Sequence, residues 1–228
     1  ITLTNIDKII LSKIIPLNDF AIYMLAHNMS NILQIIINPI HNVLYPKFSQ
    51  LFACKDYESL SSLYSFSLKC LSIFIFPFSI MIFFSSYELT LFYTQDDNLA
   101  SITAPILSIL IISQTFNGLM YLPFTLQLGS KQPKIPLYIN ISFIITCIPM
   151  LVYLANQYGS IGAAITWLFI NTIYFIVGPY VTHKFILKNN YKKFYITDIG
   201  PYFISALILF TILKIIFIYF NFKIMVKM

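Results

Sequence analysis

The sequence predicts an all-α integral membrane fold of about seven transmembrane helices. Two compositional observations and one pattern lead there. Hydrophobic residues make up 58% of the 228-residue chain, and only 10% of residues are charged. The mean hydropathy is +0.80, whereas soluble domains carry about 25% charged residues. A water-soluble protein of this size has too little charge here to solvate its exterior. The pattern is a series of apolar runs close to the roughly 20 residues that a helix needs to cross the hydrocarbon.

These runs cover about residues 1–15, 20–45, 63–84, 104–128, 135–155, 162–181 and 201–220. The first is short and interrupted by Asp7, Lys8 and Lys13. It starts directly on an apolar residue, without a charged leader or a cleavage site, so the chain is expected to be a piece of a longer protein. Stretches such as Ile73-Phe74-Ile75-Phe76 do not alternate apolar with polar residues, which favours helices over barrel strands. Pro39, Pro77, Pro105, Pro123, Pro149 and Pro179 fall within or at the ends of runs. Membrane helices tolerate proline where neighbouring groups satisfy the freed carbonyls.

Lysine placement sets the expected topology. All 14 basic residues are lysine. Lys47 and Lys55 follow the second run, Lys131 and Lys134 follow the fourth, and Lys184, Lys188, Lys192 and Lys193 follow the sixth. Alternating spans place these loops on one side, which the positive-inside rule assigns to the cytoplasm. The opposite loops carry Asp19, then Glu88, Asp96 and Asp97, or no charge near Gly159. Lys223 and Lys227 fall on the outer side after seven spans. Residues 46–62 carry Phe48, Leu51, Phe52 and Leu60 at helical spacing opposite Lys47, Lys55, Asp56 and Glu58, which predicts a short helix on the cytoplasmic surface.

Several chemistries are not supported. Nucleic-acid readers use arginine forks on phosphate and guanine, and the chain has no arginine. Cys54, Cys70 and Cys147 have no paired spacing and read as free thiols. Motifs for zinc hydrolysis, a nucleophile elbow or a phosphate loop are missing, and the carboxylates number only 8, most of them in loops. The expectation is a protein that is not an enzyme, with no cofactor and no metal.

The candidate functional residues lie inside the spans. His27, Asn31, Gln34, Asn38 and His41 recur at intervals of 4, 3, 4 and 3, on one helical face. Such a stripe avoids lipid tails. It either bonds neighbouring helices together or lines a wet cavity. His27 and His41 are about 21 Å apart along a helix and cannot share a metal. Asp7 and Lys8 are ionisable groups within the first run, so each needs a partner or water. Lys69 in the third run either snorkels to the interface or lines a path, and Lys214 in the seventh is a similar case. Gln114, Asn117, Gly118 and Tyr121 cluster on one face of the fourth run: Gly118 suits close packing, and Gln114 and Asn117 suit a cavity. Asn171 reads as interhelical glue. The candidate cavity set is therefore Asp7, Lys8, His27, Asn31, Gln34, Asn38, Lys69, Gln114 and Asn117.

Motif order adds a family resemblance. Asn5-Ile6-Asp7-Lys8 followed by aliphatics, Phe20-Ala21-Ile22-Tyr23, Pro46-Lys47-Phe48-Ser49 and Gly159-Ser160-Ile161-Gly162-Ala163-Ala164 occur in that order. Together they resemble the second half of the Wzx-type polysaccharide flippases, in the superfamily that also holds lipid II flippases and multidrug and toxic compound extrusion transporters. Ala21 stands where the family pattern has glycine. The resemblance implies a transporter of about 12–14 helices in two lobes around a central cavity. Residues 1–186 would form the second six-helix lobe, truncated at its start, and residues 187–228 an added helix behind a cytoplasmic lysine-rich linker. It implies translocation of an undecaprenyl-pyrophosphate-linked oligosaccharide across the bacterial plasma membrane. Membrane lipids and polysaccharide polymerase or assembly proteins would be its partners. Family cavities often meet the pyrophosphate with arginine; here that charge would come from Lys8, Lys69 or the other lobe. Competing expectations are cation-coupled drug antiport through a carboxylate such as Asp7, a membrane enzyme of polysaccharide assembly, and a non-transporting scaffold.

Overall fold

The structure, a computed structural model, describes residues 6–187 and 191–225, and the side chains of residues 8–187 and 191–216. The described residues contain helices and no strands. Helix α1 covers Ile6–Ile14 and α2 covers Leu17–Ser30. A 3₁₀ turn, Asn31–Leu33, joins α2 to α3, Gln34–Ala53. Next come α4 (Tyr57–Phe84), the short α5 (Ser86–Thr94), α6 (Asp97–Gly129) and α7 (Lys134–Thr182). Two π turns, His183–Leu187 and Phe194–Ile199, precede α8 (Gly200–Met225).

Five stretches are long and apolar enough to cross a membrane: Leu17–Ala53, Tyr57–Phe84, Asp97–Gly129, Lys134–Leu187 and Phe194–Ile216. The fourth spans 54 residues and would be about 80 Å long if straight. It is not straight. Gly159 adopts φ 58° and ψ −135°, a backbone region closed to residues with a Cβ. Beyond it the chain doubles back, so that the rings of Phe143 and Tyr174 meet at 5.4 Å. Thus α7 is a two-pass hairpin, and the fifth and sixth apolar runs are its arms. A Cβ on Gly162 would lie 2.0 Å from the Leu154 carbonyl oxygen, so glycine is also required where the arms separate.

Helix α6 is the centre of the bundle and packs against α2, α3, α4, α5 and α7. Gly118 lets α3 and α4 approach it together: a Cβ there would stand 2.6 Å from the δ-carbons of both Ile37 and Ile75. Outside this core the helices expose large apolar side chains, among them Ile204, Ile208, Leu209, Ile212 and Leu213 along α8. Such a surface suits lipid, not water.

The ends sort by charge. Asp19 lies beside Gly159, at the end away from the lysine-rich loops. At the other end, Phe48 and Ser49 abut Gly129, just before Lys131. Ser65 meets Asp198 there as well, so α4 and α8 leave the lysine-rich end in parallel.

One expectation is corrected. No separate surface helix forms over residues 46–62. Helix α3 continues through Pro46 to Ala53, and a tight turn with Lys55 at φ 58° starts α4. The apolar residues Phe48 and Leu60 are fully buried against the bundle instead of lying on a membrane surface. Asp56 caps α4 by accepting from the Ser59 backbone N–H at 3.0 Å.

Candidate functional site

A cavity of about 470 Å³ opens between α1, the α2–α3 stripe, α6 and the second arm of α7. Its polar wall is built from the spacing seen in the sequence. His27, Asn31, Gln34 and Asn38 line it from α2, the 3₁₀ turn and α3. Ser113, Gln114, Asn117 and Tyr121 line it from α6. Trp167 and Asn171, one helical turn apart, line it from α7, and Lys8 enters from α1.

Hydrogen bonds join these walls. Asn31 Nδ2 donates to His27 Nδ1 at 3.0 Å, and Gln114 Nε2 donates to Asn31 Oδ1 at 2.8 Å. Deeper, Asn171 Nδ2 donates to Ser113 Oγ at 2.8 Å, and Asn117 Nδ2 donates to Asn171 Oδ1 at 3.1 Å. The two sets fix four amides within a bundle whose other surfaces are apolar. The arrangement presents neutral donors and acceptors, a histidine, an indole and one lysine. It can replace water around a hydrated polar group held at membrane depth. The 3₁₀ turn falls between His27 and Gln34, where the helical ladder tightens locally.

The structure therefore brings Lys8, His27, Asn31, Gln34, Asn38, Gln114 and Asn117 of the candidate set to one cavity. The side chain of Asp7 lies outside the described residues. Lys69 is placed elsewhere. Helix α4 sits between α6 and α8, and Lys69 Nζ lies 3.7 Å from the carboxylate of Asp198. Asp198 also accepts from Ser65 Oγ at 2.6 Å and is buried. This pair joins α4 to the turn before α8, away from the cavity. His41, the last residue of the stripe, bonds Thr125 on α6 and acts as interhelical glue.

Sequence reading missed Ser113 and Trp167. Ser113 could have been found, because it is four residues before Asn117 on the same face of α6. Trp167 gave no signal of its own. Asn171 bonds two α6 side chains, as a glue residue does, and it also borders the cavity.

Long apolar helices packed around an intramembrane polar cavity define a multi-pass, all-helical membrane protein. The family model MatE matches residues 1–154, and the chain belongs to that family. It is also 25% identical over 162 residues to a protein of Shigella flexneri described as "Putative O-antigen transporter". That match covers 71% of this chain and 38% of the relative, so the matched region spans well under half of the relative's length. No solved structure matches at a significant level.

Proposed function

We propose that this chain is the second lobe, with one added helix, of a flippase that moves an undecaprenyl-pyrophosphate-linked oligosaccharide from the cytoplasmic to the outer leaflet of the plasma membrane. The observation that carries the proposal is the amide-lined cavity at membrane depth. A sugar headgroup is strongly hydrated and cannot cross hydrocarbon bare. The amides of Asn31, Gln34, Asn38, Gln114 and Asn117 offer replacement hydrogen bonds. Trp167 offers an apolar face for a sugar ring, and Lys8 offers a cation for the phosphates. The family membership and the relative named for O-antigen support the same reading.

In this proposal residues 1–186 form the lobe, and residues 187–228 form the linker and extra helix. A partner lobe closes the cavity, and rocking of the two lobes exposes it to each side in turn. Polysaccharide assembly proteins would receive the product. Drug antiport would favour a carboxylate at the cavity; the described lining has amides, hydroxyls, aromatic rings, Leu110 and Lys8, and the Asp7 side chain lies outside the described residues.

The test uses the full-length protein that contains this chain, with Cys54, Cys70 and Cys147 replaced. Single cysteines at His27, Asn31, Gln34 and Asn38 should react with a membrane-impermeant thiol reagent. Cysteines at Leu33 and Ile37, both buried against the bundle, should stay silent. Silence along the whole stripe would make it dry glue and end the proposal. Labelling that is suppressed by added lipid-linked oligosaccharide would establish the substrate class.

A further inference from the structure

The opposite face of α6 borders a second opening. While Gln114 and Asn117 face the polar cavity, Ile111, Ile112 and Thr115 wall a groove of about 280 Å³ between α6 and α8, with α4 as its floor. Two aromatic pairs bridge α4 to α8 along it. Phe76 and Phe203 meet edge to face at 5.2 Å, and Phe84 stacks on Phe210 at 4.8 Å. The few polar atoms that line it are satisfied internally. Ser79 donates to the Ile75 carbonyl, and Thr115 is within hydrogen-bond distance of both Ser79 and the Ile111 carbonyl. A groove so lined offers nothing to water and much to an alkyl chain.

Its outer end carries a charge. Lys214 Nζ lies 5.4 Å above the ring of Phe84, the last residue of α4 and part of the groove's floor. Lys214 is exposed, and its position places it toward the end of the bundle opposite the lysine-rich loops. A lysine on a flexible stem reaches from there toward the lipid headgroups.

We infer that this groove is a binding site for an anionic membrane phospholipid of the outer leaflet, with one acyl chain over α4 between α6 and α8 and the headgroup phosphate on Lys214. The occupant is a bilayer lipid and not the translocated carrier, because α6 separates the groove from the polar cavity. A carrier with its headgroup among Asn31, Gln114 and Asn117 would have to send its tail around that helix. The site does not depend on what the cavity transports.

The experiment reconstitutes the full-length protein in vesicles of equimolar phosphatidylglycerol and phosphatidylethanolamine. It is then extracted gently, and retained lipid is counted by native mass spectrometry. Wild type should keep one phosphatidylglycerol in preference to phosphatidylethanolamine. Lys214→Gln should still keep a lipid, with the preference reduced about fivefold, the factor one lysine contributes at an anionic surface. Ile112→Trp, which fills the groove from its α6 wall, should lose the retained lipid of either kind. The inference is overturned if wild type retains no phospholipid, if a polyprenyl phosphate takes its place, or if neither substitution changes what is retained. Lys214 is exposed, so its substitution is informative even if the groove-filling variant fails to fold.

Discussion

Asn31 and Gln114 are joined side chain to side chain at 2.8 Å, from a 3₁₀ turn to the central helix across 83 residues of sequence. The bond couples the two walls of the cavity where the stripe changes helical form. Amide pairs between membrane helices contribute about 0.6 kcal/mol on average. A double-mutant cycle with Asn31→Ala and Gln114→Ala, read by thermal unfolding of the full-length protein in detergent, should give a coupling of that order. Strict additivity would mean the two amides act separately.

Gly118 should disfavour a larger residue. A Cβ there meets Ile37 and Ile75 at 2.6 Å, and both are fully packed. Gly118→Val should cost about 1–3 kcal/mol through forced displacement of α3 or α4. In a background with Ile37→Ala and Ile75→Ala, the same Gly118→Val change should cost less. An unchanged melting temperature in Gly118→Val would contradict the close approach.

Asp198 holds the turn before α8 to α4 by a hydrogen bond from Ser65 and an ion pair with the half-exposed Lys69. The hydrogen bond should dominate. Asp198→Asn keeps an acceptor for Ser65 and leaves the half-exposed Lys69 ammonium able to turn to water, so it should cost under about 1 kcal/mol. Asp198→Leu leaves the Ser65 hydroxyl buried and unpaired and should cost about 1–3 kcal/mol. Comparable losses in the two variants would assign the attachment to the charge.

The start of α4 should fray in acid. Hydrogen bonds from the Ser59 hydroxyl and from its backbone N–H hold the Asp56 carboxyl below its ordinary value of 3.8. A carboxylate lowered in the folded state contributes stability that is present above pH 3.8 and lost as pH falls through the lowered value. Hydrogen exchange at the Ser59 amide should therefore be slow at neutral pH and gain protection poorly in acid once the intrinsic pH dependence is divided out. In Asp56→Asn, whose side chain still caps, that corrected protection should not change with pH.

Much of this was legible because membranes simplify the code. The apolar runs of residues 63–84 and 104–128 became α4 and the inner length of α6, since hydrocarbon leaves a backbone few alternatives to helix. The stripe of His27, Asn31, Gln34 and Asn38 faces the cavity because a four-turn polar face has to meet something other than lipid. Lys69 misled because its partner, Asp198, is 129 residues away and joins it only when α4 and α8 run parallel. Residues 46–62 misled because burial on α6 and adsorption to a membrane surface need the same apolar spacing. The stripe also gave no sign that its middle turn is 3₁₀, a change of pitch to which residue spacing is nearly blind.

The hairpin at Gly159 has a practical consequence for anyone mapping which side of the membrane each end of the bundle faces. The two arms of α7 are joined through one glycine, so that end offers no slack for a protease and no room for an inserted epitope. Tags placed there would break the fold and report nothing about sidedness. The turn between α5 and α6 is exposed at Gln95 and Asp96, and Asp96 caps α6 by accepting from the Asn98 and Leu99 N–H groups. Reporters of orientation belong at Gln95 as single-residue labels, with Asp96 left in place.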